Sequence, residues 1–230
     1  MSVKAAQFKL SDSKGDLMKK LTIAALLGLF LFSGASVNAW AETALSWNLA
    51  KDVIFAKERV ATGSPWAFME NASGVNNPDN YILLPSFTAD VCGGKPATCW
   101  QDIPSGAHVT VHKETYNYSG NGSFTVPPGN VIFHPGMNSQ TIIRWTSPVT
   151  GAVNILGRIN SIHSACGDGV AWSLNQGGAV LQSGSLAKGT GAVFSLNNVP
   201  VTAAAPIYFV LDKKTNYSCD SSTIDMLITK

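Results

Sequence analysis

The chain has 230 residues, of which 45% are apolar and only 13% charged, with 16 basic side chains against 14 acidic ones. That near-neutral balance, with no Lys/Arg cluster along the folded part, gives no electrostatic footprint for nucleic acid or for an anionic lipid surface. The length is enough for one domain with a real core and marginal for two.

The first 41 residues read as a leader. Lys19 and Lys20 form a basic n-region, residues 21–32 are uncharged and apolar apart from Thr22 and Gly28, and Ala39-Trp40-Ala41 supplies a small-x-small cleavage site. The apolar core is too short to span a bilayer, which takes about 20 residues, so no membrane span is expected after processing. Cleavage after Ala39 is the alternative, and Met18 is a second candidate start. The leader holds five of the basic residues and two of the acidic ones, which leaves eleven and twelve in residues 42–230. Secretion or periplasmic residence is the expected address.

Cys92, Cys99, Cys166 and Cys219 all fall in the exported part. Four cysteines allow three pairings, and an oxidising compartment makes disulfides the default. The reading favours Cys92 with Cys99, closing the turn-rich Gly93-Gly94-Lys95-Pro96 loop, and Cys166 with Cys219, both in polar loops ahead of strand-like runs. The spacing lacks the C-x2-C pairs typical of structural zinc.

In chain order, residues 43–54 fit a helix or a strand, with a strand preferred. Short strands are expected around Trp66 to Phe68 and Tyr81 to Leu84, and residues 90–105 read as a cysteine-bearing loop containing Trp100. Residues 107–112 alternate, with Val109 and Val111 on one face and His108, Thr110 and His112 on the other, as in a half-buried strand. Further strands are predicted at residues 116–118, 122–126, 131–133, 141–146 and 152–159. The last two, joined by Thr146-Ser-Pro-Val-Thr-Gly151, read as a paired hairpin. In the second of them, Val153, Ile155 and Ile159 face the core while Asn154 and Arg158 face away. Val170, Trp172 and Leu174 share a face, and Ile207, Phe209 and Leu211 alternate with Tyr208 and Val210 before a final run ending at Ile228. Strands at roughly ten-residue spacing, with Gly and Pro between them, predict an all-β, antiparallel sandwich or barrel in one domain over residues 42–230.

The order Gly63-Ser64-Pro65-Trp66, His134-Pro135-Gly136, Ile142-Ile143-Arg144-Trp145-Thr146-Ser147-Pro148 with Gly151, and Asn216-Tyr217-Ser218-Cys219-Asp220-Ser221-Ser222-Thr223-Ile224-Asp225 resembles bacterial secreted jelly-roll domains of the carbohydrate-binding-module type. Such domains occur in exported surface proteins, including substrates of the Pro-Glu-Pro sorting system, whose sorting tail is absent here. The resemblance implies a jelly-roll β-sandwich and binding to an extracellular polysaccharide or surface glycan.

Trp66, Trp100, Tyr116 and Tyr118 lie in or beside polar, loop-rich sequence and are the candidates for stacking on sugar faces. Trp145 and Trp172, in alternating strands, are expected in the core. The resemblance also makes Asp225, in the last strand, a candidate ligand for a structural calcium ion, the sole cofactor considered. His108 and His112 form H-x3-H, but on a strand they stand roughly 13 Å apart, too far to share one metal, and read as solvated strand-face histidines. His163 and Asp168 with Ser161, Ser164 or Ser173 lack the context of a hydrolase triad, and nothing in the spacing of Glu58, Glu70, Asp79, Asp90 and Asp102 selects a glycosidase pair. The leading reading is a non-catalytic glycan-binding protein. A structural or adhesive subunit that self-associates through its strands is the alternative, and a secreted hydrolase comes third.

Overall fold

The computed structural model describes residues 44–120 and 122–230, and the predicted leader and cleavage site lie outside them. The chain forms β1 (Ser46–Asn48), α1 (Leu49–Val53), β2 (Trp66–Asn71), β3 (Ile82–Leu83), β4 (Ser86–Thr88), β5 (Val91–Cys92), β6 (Lys95–Gln101), β7 (His108–His112), β8 (Tyr116–Tyr118) and β9 (Phe124–Val126). Longer strands follow: β10 (Val131–His134), β11 (Gln140–Thr146), β12 (Gly151–Ser161), β13 (Val170–Gln176), β14 (Ala179–Leu186), β15 (Gly191–Val201), β16 (Pro206–Lys213) and β17 (Ser222–Thr229). Among the described residues, no helix is long and apolar enough to cross a membrane.

Two antiparallel sheets form the sandwich. One runs β15-β12-β17-β10-β7-β6-β4, with β1 added to β17 and β5 to β6; the other runs β14-β13-β16-β11-β2-β3. Within them the last eight strands take the jelly-roll order, β10-β17-β12-β15 facing β11-β16-β13-β14, with the chain crossing from sheet to sheet. The all-β, antiparallel expectation therefore holds.

Strand periodicity dictates the core. Val109, Val111, Val131, Phe133, Ile155, Ile159, Ile224 and Ile228 point inward from the first sheet, and Ile143, Trp145, Leu174, Phe209 and Leu211 meet them from the second. Phe209 stands between Phe133, Trp172 and Phe194, with ring centroids 5.8, 5.6 and 5.2 Å away. Trp47 packs edge-on to Trp145 at 5.3 Å. Both favoured disulfides are present, Cys92–Cys99 and Cys166–Cys219.

Three local expectations are corrected. Residues 43–54 divide into a short strand and a helical turn, because Asn48 caps the turn by accepting from the Lys51 amide. The expected loop at residues 90–105 is mostly strand: β5 and β6 pair antiparallel, and β6 carries Trp100 into the core. The expected hairpin between β11 and β12 does not form, since β11 pairs with β2 and β16 in one sheet while β12 pairs with β15 and β17 in the other. Both strands have an apolar inward face, and placing them in opposite sheets buries Trp145 and Val153 in the same core.

Candidate functional site

The outer face of the larger sheet is built from the side chains that alternate with the core. Inward Val109 leaves His108 and Thr110 outward on β7, and inward Phe133 leaves Ile132 and His134 outward on β10. The strand register turns these into rows. Gln101, His108 and His134 are direct cross-strand neighbours, and Cys99, Thr110, Ile132 and Thr223 form the next row.

Among the described residues, the β8–β9 hairpin pairs with no other strand, and it stands beside these rows. Tyr116 lies parallel to the His112 ring at 4.2 Å, Tyr118 stacks on Phe124 at 4.9 Å, and both of these meet His163 edge-on at 5.4 and 4.8 Å. Cys219 and Ser221, just before β17 and tied to the β12–β13 loop by the Cys166–Cys219 bond, form another part of the lining. The result is a groove of about 400 Å³. All four histidines of the chain line it, and among its described lining residues there is no Asp or Glu.

Burial favours the neutral form of three of these imidazoles. Burial pushes the His134 pKa down to about 3, with further lowering from His108 and His163 only partly offset by the Pro135 carbonyl. Burial likewise lowers His108 and His112, the first opposed by the Gly106 carbonyl and the second reinforced by His108. His108 Nδ1 lies 3.0 Å from the Gly106 oxygen and His134 Nδ1 2.6 Å from the Pro135 oxygen. A carbonyl oxygen only accepts, so each Nδ1 carries the hydrogen and each Nε2 is left as an acceptor.

Of the four aromatic candidates, Tyr116 and Tyr118 line this groove, half-buried. Trp66 and Trp100 do not: both are 2% exposed, and their indole N–H groups donate to Asp52 and to the Arg59 carbonyl at 2.9 Å. Each sits on the inward parity of its strand, so polar flanking sequence misled the expectation that they face a ligand. His112 is also not solvated, because it is buried under Tyr116, while His108 is half-buried in the groove.

Asp225 is exposed on the same outer face, opposite Arg158, in a second cleft of about 490 Å³ with Asn48, Asn130, Asn160 and Thr223. Of the glycosidase candidates, Glu70 and Asp102 are brought together around Ser105, with Glu70 buried and its pKa raised by burial and then by Asp102. Asp90 is exposed between Lys57 and Lys113. Ser173 belongs to the other sheet, where Asn76 donates to it, while the Nδ1 of His163 lies 3.6 Å from Cys166 Sγ.

The sequence reading missed His134, His163, Phe124 and Gln101 as groove residues. The outward parity of Ile132 and His134 was available as a signal; the pairing of β7 with β10 was not.

No protein-family model matches the sequence, and no curated protein is detectably similar to it. Among solved structures, the chain is similar to a CBM51 module from Clostridium perfringens GH95 in complex with methyl-galactose, at 9% identity, covering 53% of this chain and 87% of that one with a TM-score of 0.37. It is also similar to the K3 cleaved adhesin domain of the Lys-gingipain of Porphyromonas gingivalis, at 11% identity over 80% of this chain and 98% of the other, TM-score 0.36. A carbohydrate-binding module CBM36 in complex with calcium and xylotriose matches at 14% identity over 53% and 98%, TM-score 0.27. At these scores the likenesses assign no residue of this chain a role.

Proposed function

We propose that the groove on the outer face of the larger sheet binds a glycan chain without transforming it. The observation that carries this reading is the pairing of an aromatic wall, Tyr116, Tyr118 and Phe124, with an uncharged polar floor of Gln101, His108 and His134. Aromatic faces pack against sugar C–H faces, and neutral imidazole, amide and hydroxyl groups hydrogen-bond sugar hydroxyls, which fits the usual make-up of a ligand pocket. Glycoside hydrolysis normally requires two carboxyl groups flanking the bond, and the described lining supplies neither. The two disulfides suit an oxidising compartment, where extracellular polymers are met.

Affinity electrophoresis of the protein against a panel of soluble polysaccharides tests this. Retention on at least one polymer is expected, weakened about tenfold, or about 1.4 kcal/mol, by Tyr118→Ala. Exposed Val180 lies on β14 of the other sheet, and Val180→Ala should leave retention unchanged. Absence of retention on every polymer, or retention indifferent to Tyr118 and Phe124, would overturn the reading.

A further inference from the structure

We infer that Asp168 and Asp220, with the main-chain carbonyls of Ser218 and Cys219, form a site for a hard divalent cation of the calcium class. Asp220 stands just before β17 with 0% of its surface exposed. Neither of its carboxylate oxygens has a hydrogen-bond partner among the described residues, and neither does the buried Oδ1 of Asp168, whose Oδ2 accepts from the Thr215 amide at 2.9 Å. Folded proteins keep buried carboxylates by pairing them or by giving them a metal. Pairing is not the solution here. Lys214 donates to the carbonyls of Asp168 and Leu186 and Lys213 to that of Met137, and among the described residues neither lysine forms an ion pair with these carboxylates. A proton on Asp220 would remove its charge and still leave its oxygens without partners.

The oxygens also converge. A Cβ built on Gly167 would stand 2.9 Å from the Ser218 oxygen, 3.0 Å from the Cys219 oxygen and 3.3 Å from Oδ1 of Asp220. Three oxygens of one segment thus surround a spot on the β12–β13 loop that only glycine, here at φ +81°, leaves open. Asp168 is the next residue, close enough for its charge to act on Asp220. Calcium takes about six to eight oxygens from carboxylates, main-chain carbonyls and water, whereas zinc and copper favour nitrogen and sulfur. The nearby sulfurs are closed in the Cys166–Cys219 bond, which ties the loop carrying Asp168 to the segment carrying Asp220 and so holds the ligands together in advance. Binding leaves the Thr215 bond to Asp168 intact, since it uses the other oxygen. Asp225, the residue that the resemblance implies for calcium, is exposed, faces Arg158 and has no second carboxylate among the described lining of its cleft. Neither Asp168 nor Asp220 lines the glycan groove, so the site stands independently of that reading.

The test is titration of the tag-free, EDTA-stripped protein with calcium chloride by calorimetry. One ion per chain with a submillimolar Kd is expected. Asp168→Asn and Asp220→Asn should each weaken it at least tenfold, and Asp225→Asn should leave it unchanged. Calcium should also shift the amide resonances of residues 166–169 and 218–220 in the unaltered protein, a readout that needs no variant. Stability supplies a third. In calcium-free buffer at pH 8, Asp220→Asn removes an unneutralised buried charge and is the more stable protein; in millimolar calcium it lacks a ligand, and the order should reverse. Calcium binding no tighter than millimolar, affinity kept by the Asp168→Asn/Asp220→Asn double variant, affinity lost in Asp225→Asn, or resonance shifts confined to other residues would overturn the assignment.

Discussion

Asp220 has no exposed surface, and neither of its carboxylate oxygens has a hydrogen-bond partner among the described residues. Lys214, which would be its natural counter-ion, donates instead to the carbonyls of Asp168 and Leu186. Burial, and then repulsion from Asp168, push the Asp220 pKa from 3.8 up to about 7, against the weaker pull of Lys214 and Lys213. A carboxyl raised in the fold contributes stability that is complete below its unfolded pKa and is lost as pH rises through about 7. Its share is up to about 4 kcal/mol between pH 4 and 8. Asp220→Asn should therefore be more stable than the unaltered protein at pH 8 and lack this part of the pH slope; urea denaturation of both at pH 5 and 8 measures it, and parallel slopes would refute the assignment. Gly157 is a second such position, for a Cβ there would stand 2.6 Å from the Asp225 carbonyl and run into the Phe194 ring. Gly157→Ala should cost about 1–3 kcal/mol by overpacking, read from the urea midpoint. Neither property was legible in the sequence. Asp220 lies in a polar run, N-Y-S-C-D-S-S-T, that reads as an exposed loop, and Gly157 interrupts an alternation whose neighbours across the sheet are unknown until the register is set.

At the scale of elements, the β8–β9 hairpin is the distinctive piece. A two-stranded hairpin is marginal by itself, and this one is joined to the sheet by rings, Tyr116 on His112 and Tyr118 with Phe124 on His163. Phe124→Ala should speed amide exchange at residues 116–118 and 124–126 while leaving β7 and β10 as slow as before. Equal acceleration throughout would mean that the hairpin is part of the global folding unit. The strands themselves were largely readable, because period-two alternation reports burial directly; β7, β12 and β16 fall where Val109, Val153 and Ile207 place them. Their partners were not. The four-residue link between β11 and β12 has the length of a hairpin loop, and only the shared need of Trp145 and Val153 for one core sends the two strands to opposite sheets. The groove suffers from the same gap. Tyr116 and Tyr118 announce themselves as aromatics in polar sequence, whereas His134 becomes a site residue only when β10 is laid beside β7.

Across the whole molecule, the two disulfides differ in reach. Cys92–Cys99 spans 7 residues and closes a local hairpin, while Cys166–Cys219 spans 53 and ties the β12–β13 loop to the entry of β17. Chain-entropy arguments give about 4 kcal/mol for the long loop and roughly 2 for the short one. Replacing Cys166 and Cys219 by serine should thus lower the denaturation midpoint well beyond the same change at Cys92 and Cys99, and a reversed order would show that native-state contacts dominate. Strand number and turn chemistry reach as far as an antiparallel sandwich or barrel, but the order of strands rests on pairings between distant segments, such as Ser46 with Thr229. That order has a consequence for how the protein is made. β10 and β12 are synthesised before β17 yet do not pair with each other; the slot between them belongs to β17. Until it arrives, two apolar strands present bare inner edges, which invite pairing with other chains. A chain ending before Ser222 should accumulate as aggregate rather than as a smaller sandwich.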